Sequence, residues 1–381
     1  MPSSEFCRLH FAGGAATLPC PWPDCIHGHD ADVFLDSRFP PLSKEYRRES
    51  FIAADGEPRF FWISRNEGYG WAVRSTVRSE LLRLAQPSYG AMYHYTSLEG
   101  FQGIIESSDL WLTDSAFMND ASELEHGVDL SREVFESRAT NGSPIADVLR
   151  GLTNIPVAAR PRVNIACFSS ARDHLSQWRA YSQNTVGIAL GFATEKLMPA
   201  LGYPSECTLA PVLYSDTHKR ALLDCFARFF SEAYSRDAMR QISVRQRDGS
   251  SKEFYPTDGY NNSLSGLFFE LVTSCKHSAF ADEHEIRLVY TEHNDIIESF
   301  NLERAKKRFR RANGFLAPYT TVDDIRETNL DRTVERERFP LTEVIVGPHP
   351  RAELTALSIR QFLDTHGYSD VPVSQSAAPY R

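Results

Sequence analysis

No stretch of this chain approaches the roughly 20 consecutive apolar residues that a bilayer-spanning helix requires, so no membrane segment is expected. The opening residues, MPSSEFCRLHFAGG, lack the charged start and apolar core of a secretory signal, which makes a cytoplasmic location the expectation. Gly-rich phosphate loops of the Walker or Rossmann type are missing. So are a G-x-S-x-G elbow and an H-E-x-x-H helix. There is no internal repeat and no low-complexity block. Positive charge is not in excess either. With a net charge of -9, a chain-wide basic nucleic-acid footprint is not expected, and only a local patch remains open. Cysteine is sparse and odd in number, seven in all, which argues against a disulfide framework. Cys167, Cys207, Cys225 and Cys275 are scattered and read as buried, reduced and inert.

What the chain does have is apolar substance. Of its 381 residues 42% are apolar, enough for a sizeable core and too many for a mostly disordered chain. The length allows two or three domains, or one elaborated domain with an appendage. The reading adopted is a Cys/His-rich arm over 1–30, an accessory hairpin and short helix over 31–90, and a main domain over 91–381.

The arm, CRLHFAGGAATLPCPWPDCIHGH, gathers thiols and imidazoles in a short segment without an obvious core of its own. Cys7, His10, Cys20 and Cys25 are the candidate ligands of a structural zinc, with His27 or His29 as substitutes. A Pro-rich polar arm with incidental cysteines is the other reading. Such a module would dock a partner or brace the main domain.

Along the chain, RFFWISRNEGYGWAV reads as a hairpin around Asn66-Glu67-Gly68, followed by a short helix ending before Pro87. MYHYT is a strand. Ser97 precedes a helix whose apolar positions Leu98, Phe101, Ile104 and Ile105 recur with helical period. A short strand begins at Leu110, and NDASELEHGVDLSREVFES is a helix that Asp120 or Ser122 would cap. VNIACFS, TVGIALGF, APVLYS, EHEIRLVYT and EVIVGP are strands; HLSQWRAY and ELTALSIRQFLDTHG are helices. Residues 217–275 read as helical with a polar loop, VRQRDGSSKEFYPTDGYNN. Short strands mixed with helices without regular alternation favour an α+β fold, with mixed small sheets and flanking helices, over a doubly wound sheet.

Three segments carry candidate chemistry. His94 and Thr96 share one face of their strand, opposite Tyr93 and Tyr95. A strand histidine is also commonly half-buried and merely hydrogen-bonded. CFSSARDHLSQWRAYS supplies Ser169, Ser176, Trp178, Arg179 and Tyr181, a hydroxyl, aromatic and cation set suited to a flat polar ring beside phosphates, unless the aromatics belong to the core. FADEHEIRLVY places Glu283, Glu285 and Arg287 on one face, either around a substrate or as a solvated edge. Asn119, Asp120 and Glu123 form a further polar cluster. The basic segment ERAKKRFRRANG over 303–314 reads as a helix with one solvated basic face rather than a nucleic-acid contact.

The motifs Y-H-Y-T-S, L-W, N-D-x-S-E, C-F-S, L-S-x-W-x-x-Y, G-x-x-L-G-F, K-H-x-x-F-x-x-E-x-E-x-R-L and I-V-G-P follow one another from about residue 91 to the terminal S-x-x-P-Y-R. In that order they resemble a bacterial family catalogued as domain of unknown function 2971, whose label implies no reaction. A more distant resemblance is to the ADP-ribosyltransferase fold, which implies an ADP-ribosyltransferase-like core with NAD as substrate. It implies that His94 holds a ribose hydroxyl and that an aromatic, Trp178 or Tyr181, stacks on nicotinamide. Glu285 would then stabilise the oxocarbenium-like centre, with Glu283 as the first acid of an E-x-E pair that positions the acceptor. Thr96 and Ser97 stand where polymerase-like members carry Gly, and the N-D-x-S-E cluster has no counterpart in that fold.

The leading expectation is therefore an NAD-dependent ADP-ribosyltransferase or NAD-cleaving effector, by implication a bacterial toxin or phage-defence protein, with a protein or nucleic acid as acceptor. One alternative is a hydrolase or nuclease-like enzyme using His94, Asp120 and Glu123 as acid and base groups, with or without a metal. Another is a non-catalytic module that senses a nucleotide.

Overall fold

The computed structural model describes residues 46–52, 58–64, 70–85, 90–118, 121–138, 144–181, 186–194, 196–197, 207–237, 242–245, 251–254, 260–292, 304–312, 314–328 and 338–379. The candidate zinc ligands Cys7, His10, Cys20 and Cys25, and Asn119 and Asp120, lie outside the described residues, as does the side chain of Tyr181. Among the described residues no helix is long and apolar enough to cross a membrane.

The chain begins with an antiparallel hairpin, β1 (Tyr46–Ile52) and β2 (Pro58–Ser64), then α1 (Gly70–Ala85). The central elements are β3 (Ala91–Ser97), α2 (Leu98–Ser107), β4 (Trp111–Asp114), α3 (Ala121–Arg138), α4 (Pro144–Thr153), β5 (Val163–Ser169), α5 (Leu175–Tyr181), β6 (Gly187–Ala193) and β7 (Cys207–Pro211). Then follow α6 (Asp216–Asp237), β8 (Ile242–Arg245), β9 (Ser251–Phe254), α7 (Tyr260–Val272), β10 (Glu285–Thr291), β11 (Arg308–Ala312), β12 (Phe315–Thr321), α8 (Val322–Thr328), β13 (Leu341–Val346), α9 (Ala352–Thr365) and β14 (Val373–Gln375).

The architecture is α+β, and its main sheet is single and ten-stranded rather than several small ones. It forks at β5. One edge of β5 pairs along its whole length with β10, which in turn pairs with β7. The other edge is shared: β3 meets it at Ser169, and β4 meets it at Asn164 and Ile165. From that fork one wing runs β3-β6-β13-β14 and the other β4-β12-β11. Among the described strands, all pairs are antiparallel except β13 with β14.

Strand alternation assigns the two faces. Val163, Ile165 and Val289 enter a core with α1, α3, α4, α6 and α7, whereas Ala166, Phe168, Leu288 and Tyr290 enter a second core with α2, α8 and α9. Helix α2 starts as expected: the Ser97 hydroxyl accepts from the Gly100 amide, and Phe101, Ile104 and Ile105 are buried.

Local readings change in three places. Trp71-Ala72-Val73 belongs to α1, not to a hairpin around Asn66, because Val77, Leu81 and Leu84 recur at helical spacing and enter the main core. The hairpin lies earlier, in β1 and β2. The polar loop within 217–275 contains the two-stranded sheet of β8 and β9. The basic segment near 308 is an edge strand, β11, and not a helix. Ala312 pairs with Phe315 across the two-residue Asn-Gly connection, with Gly314 at φ 88°. That dipeptide is a strong hairpin signal.

A charged cluster at the start of β10

After α7 the chain makes a 3-10 turn, Ser278–Glu283, and enters β10 through His284. His284 adopts φ 47°, a left-handed conformation that histidine tolerates better than most side chains. The turn folds Lys276 back over the strand it precedes. The Lys276 ammonium lies 2.8 Å from Glu123 and 3.0 Å from Glu285, and it also pairs with Glu283. Arg287 clasps the Glu285 carboxylate with two bonds, Nε to Oε1 at 2.8 Å and Nη2 to Oε2 at 2.9 Å. Its Nη2 also donates to Glu123 at 2.7 Å, and its Nη1 donates to the Thr273 carbonyl. Three carboxylates and two cations thus share one site, with a formal surplus of one negative charge.

Backbone contacts fix the turn. The Glu285 amide donates to the Tyr214 hydroxyl at 2.9 Å. Ser169 Oγ and Gln177 Nε2 donate to the Glu283 carbonyl at 2.6 and 3.1 Å. The Ser170 amide donates to the His284 carbonyl at 2.9 Å.

Burial grades the cluster. Arg287 is 3% exposed, Lys276 and Glu285 6%, Glu123 16% and Glu283 31%. Burial alone would raise the Glu285 carboxyl, but the Arg287 charge and hydrogen bonds, with Lys276, outweigh it and hold the carboxyl down at about 2. Glu283 goes the other way: its desolvation prevails over Lys276, with Glu285 adding repulsion, and its carboxyl is raised. Lys276 is held charged, since Glu285, Glu123 and Glu283 overcome its burial. Burial pushes the Cys167 thiol well up, and Glu285 adds to it, which favours the neutral thiol.

The structure brings Glu123, Glu283, Glu285 and Arg287 together, although Glu283 arrives from the turn and not from the strand. His94 and Thr96 do lie on one face of β3, but that face belongs to the second core. His94 packs against Phe168 with ring centroids 5.5 Å apart. Glu285 and Arg287 lie on the face of Cys167 and Ser169, their register partners. The imidazole reaches the backbone between them: Nδ1 sits 2.8 Å from the Cys167 carbonyl. Burial lowers the His94 pKa, partly opposed by that carbonyl. The same separation divides His94 from Glu123, which bonds Arg287 on the Glu285 face.

Trp178 is 2% exposed, edge-on to Tyr95 at 4.8 Å, so it is a core ring and not an open stacking plate. Ser176 Oγ pairs with His174 Nδ1 at 2.7 Å, and Arg179 is exposed. Thr96 faces the first turn of α2, where a Cβ at Gly100 would stand 2.1 Å from its Oγ1. The sequence reading did not select Lys276, although its motif contained that residue. Among the described residues, no group of three or more His, Cys, Asp or Glu is arranged to hold a metal ion. Cys167 is half-buried and Cys207, Cys225 and Cys275 are buried, none of the four in a disulfide.

A family model described as a protein of unknown function, DUF2971, matches residues 177–288. That span runs from α5 to β10 and includes Lys276, Glu283, Glu285 and Arg287, but neither His94 nor Glu123. No curated protein and no solved structure matches the chain.

Proposed function

We propose that this cluster is the reacting centre of an enzyme that breaks a glycosidic bond while positive charge builds on the sugar. NAD is the substrate implied by the resemblance to the ADP-ribosyltransferase fold, and NAD cleavage or ADP-ribosyl transfer is the outcome. The observation that carries the reading is the pair Glu283 and Glu285 on one lysine ammonium, the first a third exposed and the second buried and ionised. Two carboxylates held in opposite protonation tendencies are the arrangement that acid–base and charge-stabilising roles require.

In this reading the nicotinamide–ribose bond breaks and its electron pair leaves with nicotinamide. Glu285, fixed by Arg287, opposes the charge that develops on the ribose. Water or an acceptor then attacks and gives its proton to Glu283. His94 acts at one remove, as a positioning residue that holds the β5 backbone at Cys167.

Incubation with NAD labelled in its nicotinamide moiety, with cell lysate as the source of acceptors, should release nicotinamide. Glu285→Gln should cut release by about a hundredfold or more while the protein stays folded. No release from the wild-type protein, or unchanged release from Glu285→Gln, would overturn the reading. A proton acceptor must be ionised to act, so release should climb as pH rises through the raised Glu283 titration. Glu283→Gln should flatten that profile.

A second reading has its own support. Both Glu285 oxygens are already engaged by Arg287 and Lys276, as in a non-catalytic module that binds a nucleotide. Calorimetric binding of NAD without nicotinamide release would favour it.

A further inference from the structure

The β11–β12 hairpin overhangs its neighbour, since β12 pairs with β4 only over Tyr319–Thr321. Its register puts Tyr319, Ala317 and Phe315 on one face with Arg308 and Arg310, and Trp111 and Thr113 of β4 join that face. Trp111, half exposed, stacks on Tyr319 with centroids 4.5 Å apart and 25° between planes. Phe315 and Phe117, both exposed, lie 6.2 Å apart farther along. On the same face Arg310 reaches across to β4, its Nη2 3.3 Å from Thr113 Oγ1. Arg308 is held on this face by Asp324 through bonds of 2.6 and 2.9 Å.

The charge is equally concentrated. Arg304, Lys306, Lys307, Arg308, Arg310 and Arg311 fill six of the eight positions 304–311, with no acid among them, in a chain whose net charge is -9. Exposed aromatic rings are costly to leave in water without a use. A protein-docking face also gathers aromatic rings and arginine but is depleted in lysine, whereas the stretch that leads into this strand carries Lys306 and Lys307 among its cations and no acid. Flat rings spaced among guanidinium and ammonium groups suit unstacked bases joined by phosphates. A duplex would hide its base faces from such rings.

We infer that the Trp111–Tyr319–Phe315 face, with Arg310, is a binding platform for single-stranded nucleic acid. The inference is independent of the reaction assigned to Glu285. Bases stack on the rings, and phosphates run along Arg310 and the basic stretch before it. Binding adds no covalent step.

Fluorescence anisotropy of the full-length protein with labelled 12-nucleotide RNA and DNA strands tests this, beside a duplex of the same length and a polyglutamate peptide. Single strands should bind at least tenfold tighter than the duplex, and affinity should fall as salt rises. Trp111→Ala and Phe315→Ala should each weaken binding about tenfold with an unchanged melting temperature, and Trp111→Phe should restore most of it. Arg310→Ala should lower the salt slope. Absence of binding at low salt, equal binding of the duplex, or indifference to both ring variants would overturn the inference. Displacement by polyglutamate at equal charge concentration would also overturn it, and would assign the face to an acidic protein partner.

Discussion

Arg287→Leu should lower the stability of the protein by about 3–5 kcal/mol, as is typical when one partner of a buried ion pair is removed. The guanidinium is 3% exposed and serves Glu285, Glu123 and the Thr273 carbonyl at once, so its loss leaves the three carboxylates of the cluster facing Lys276 alone. Urea unfolding of the two proteins measures the difference. A loss below about 1 kcal/mol would mean that water enters the cluster freely. Glu285 also ties stability to pH. Its folded-state value, about 2, lies below its ordinary 4.5, so the stability it contributes is present above about pH 4.5 and is lost as pH falls towards 2. Glu283 is shifted upward and works in the opposite sense, withdrawing stability as pH rises through its titration. Arg287→Leu should shrink the acid-side loss, because Glu285 then loses the charge that depresses it.

Trp178→Ala should cost a similar amount, about 3–5 kcal/mol, as is usual for an aromatic ring removed from a core. Its indole lies edge-on to Tyr95, and its Nε1–H donates to Asp173 Oδ1 at 2.6 Å. The same carboxylate accepts from Ser376 Oγ at 2.6 Å and from the Ala377 amide at 2.8 Å, tying the end of the chain to the start of α5. Gly347 meets the other side of the ring, where an added Cβ would stand 2.8 Å from Cε3. Trp178→Phe should recover part of the packing but not the bond to Asp173. Thermal denaturation of both variants measures this. A drop of less than about 1 kcal/mol in Trp178→Ala would return the indole to the surface, where a ligand can reach it.

These two residues show how far the sequence could be read. Elements with a clear apolar pattern were legible: β3, β5, α5, β6, β10, β13, α9 and α2, the last with its Ser97 cap. Within the cluster, Glu283, Glu285 and Arg287 stood out as charges on one face of an otherwise apolar strand, and Glu123 as part of the polar N-D-x-S-E run. Lys276 did not, because only the 3-10 turn and the left-handed His284 bring its ammonium back over β10. Alternation correctly paired His94 with Thr96, yet it could not tell which core that face meets. The register of Tyr93 against Ser169 decides this, and no residue near His94 encodes it. Trp178 looked like a ligand plate because a buried ring and an exposed one share the same helical spacing. The Asn313-Gly314 dipeptide was the available signal for the β11–β12 hairpin, and the run of cations around it drew attention away.

The forked edge of β5 has a consequence for which side chains position 94 can accept. Where β3 and β4 diverge, the backbone at 167 is left without a strand partner on that edge, and the imidazole takes the place, tilted 56° against Phe168 with a nitrogen towards the peptide oxygen. An aliphatic plug such as leucine would fill the place yet leave that oxygen dry. An asparagine would satisfy the oxygen yet underfill the place. The joint between the two wings thus demands a side chain that is flat, compact and polar at one corner, a requirement of mechanics alone.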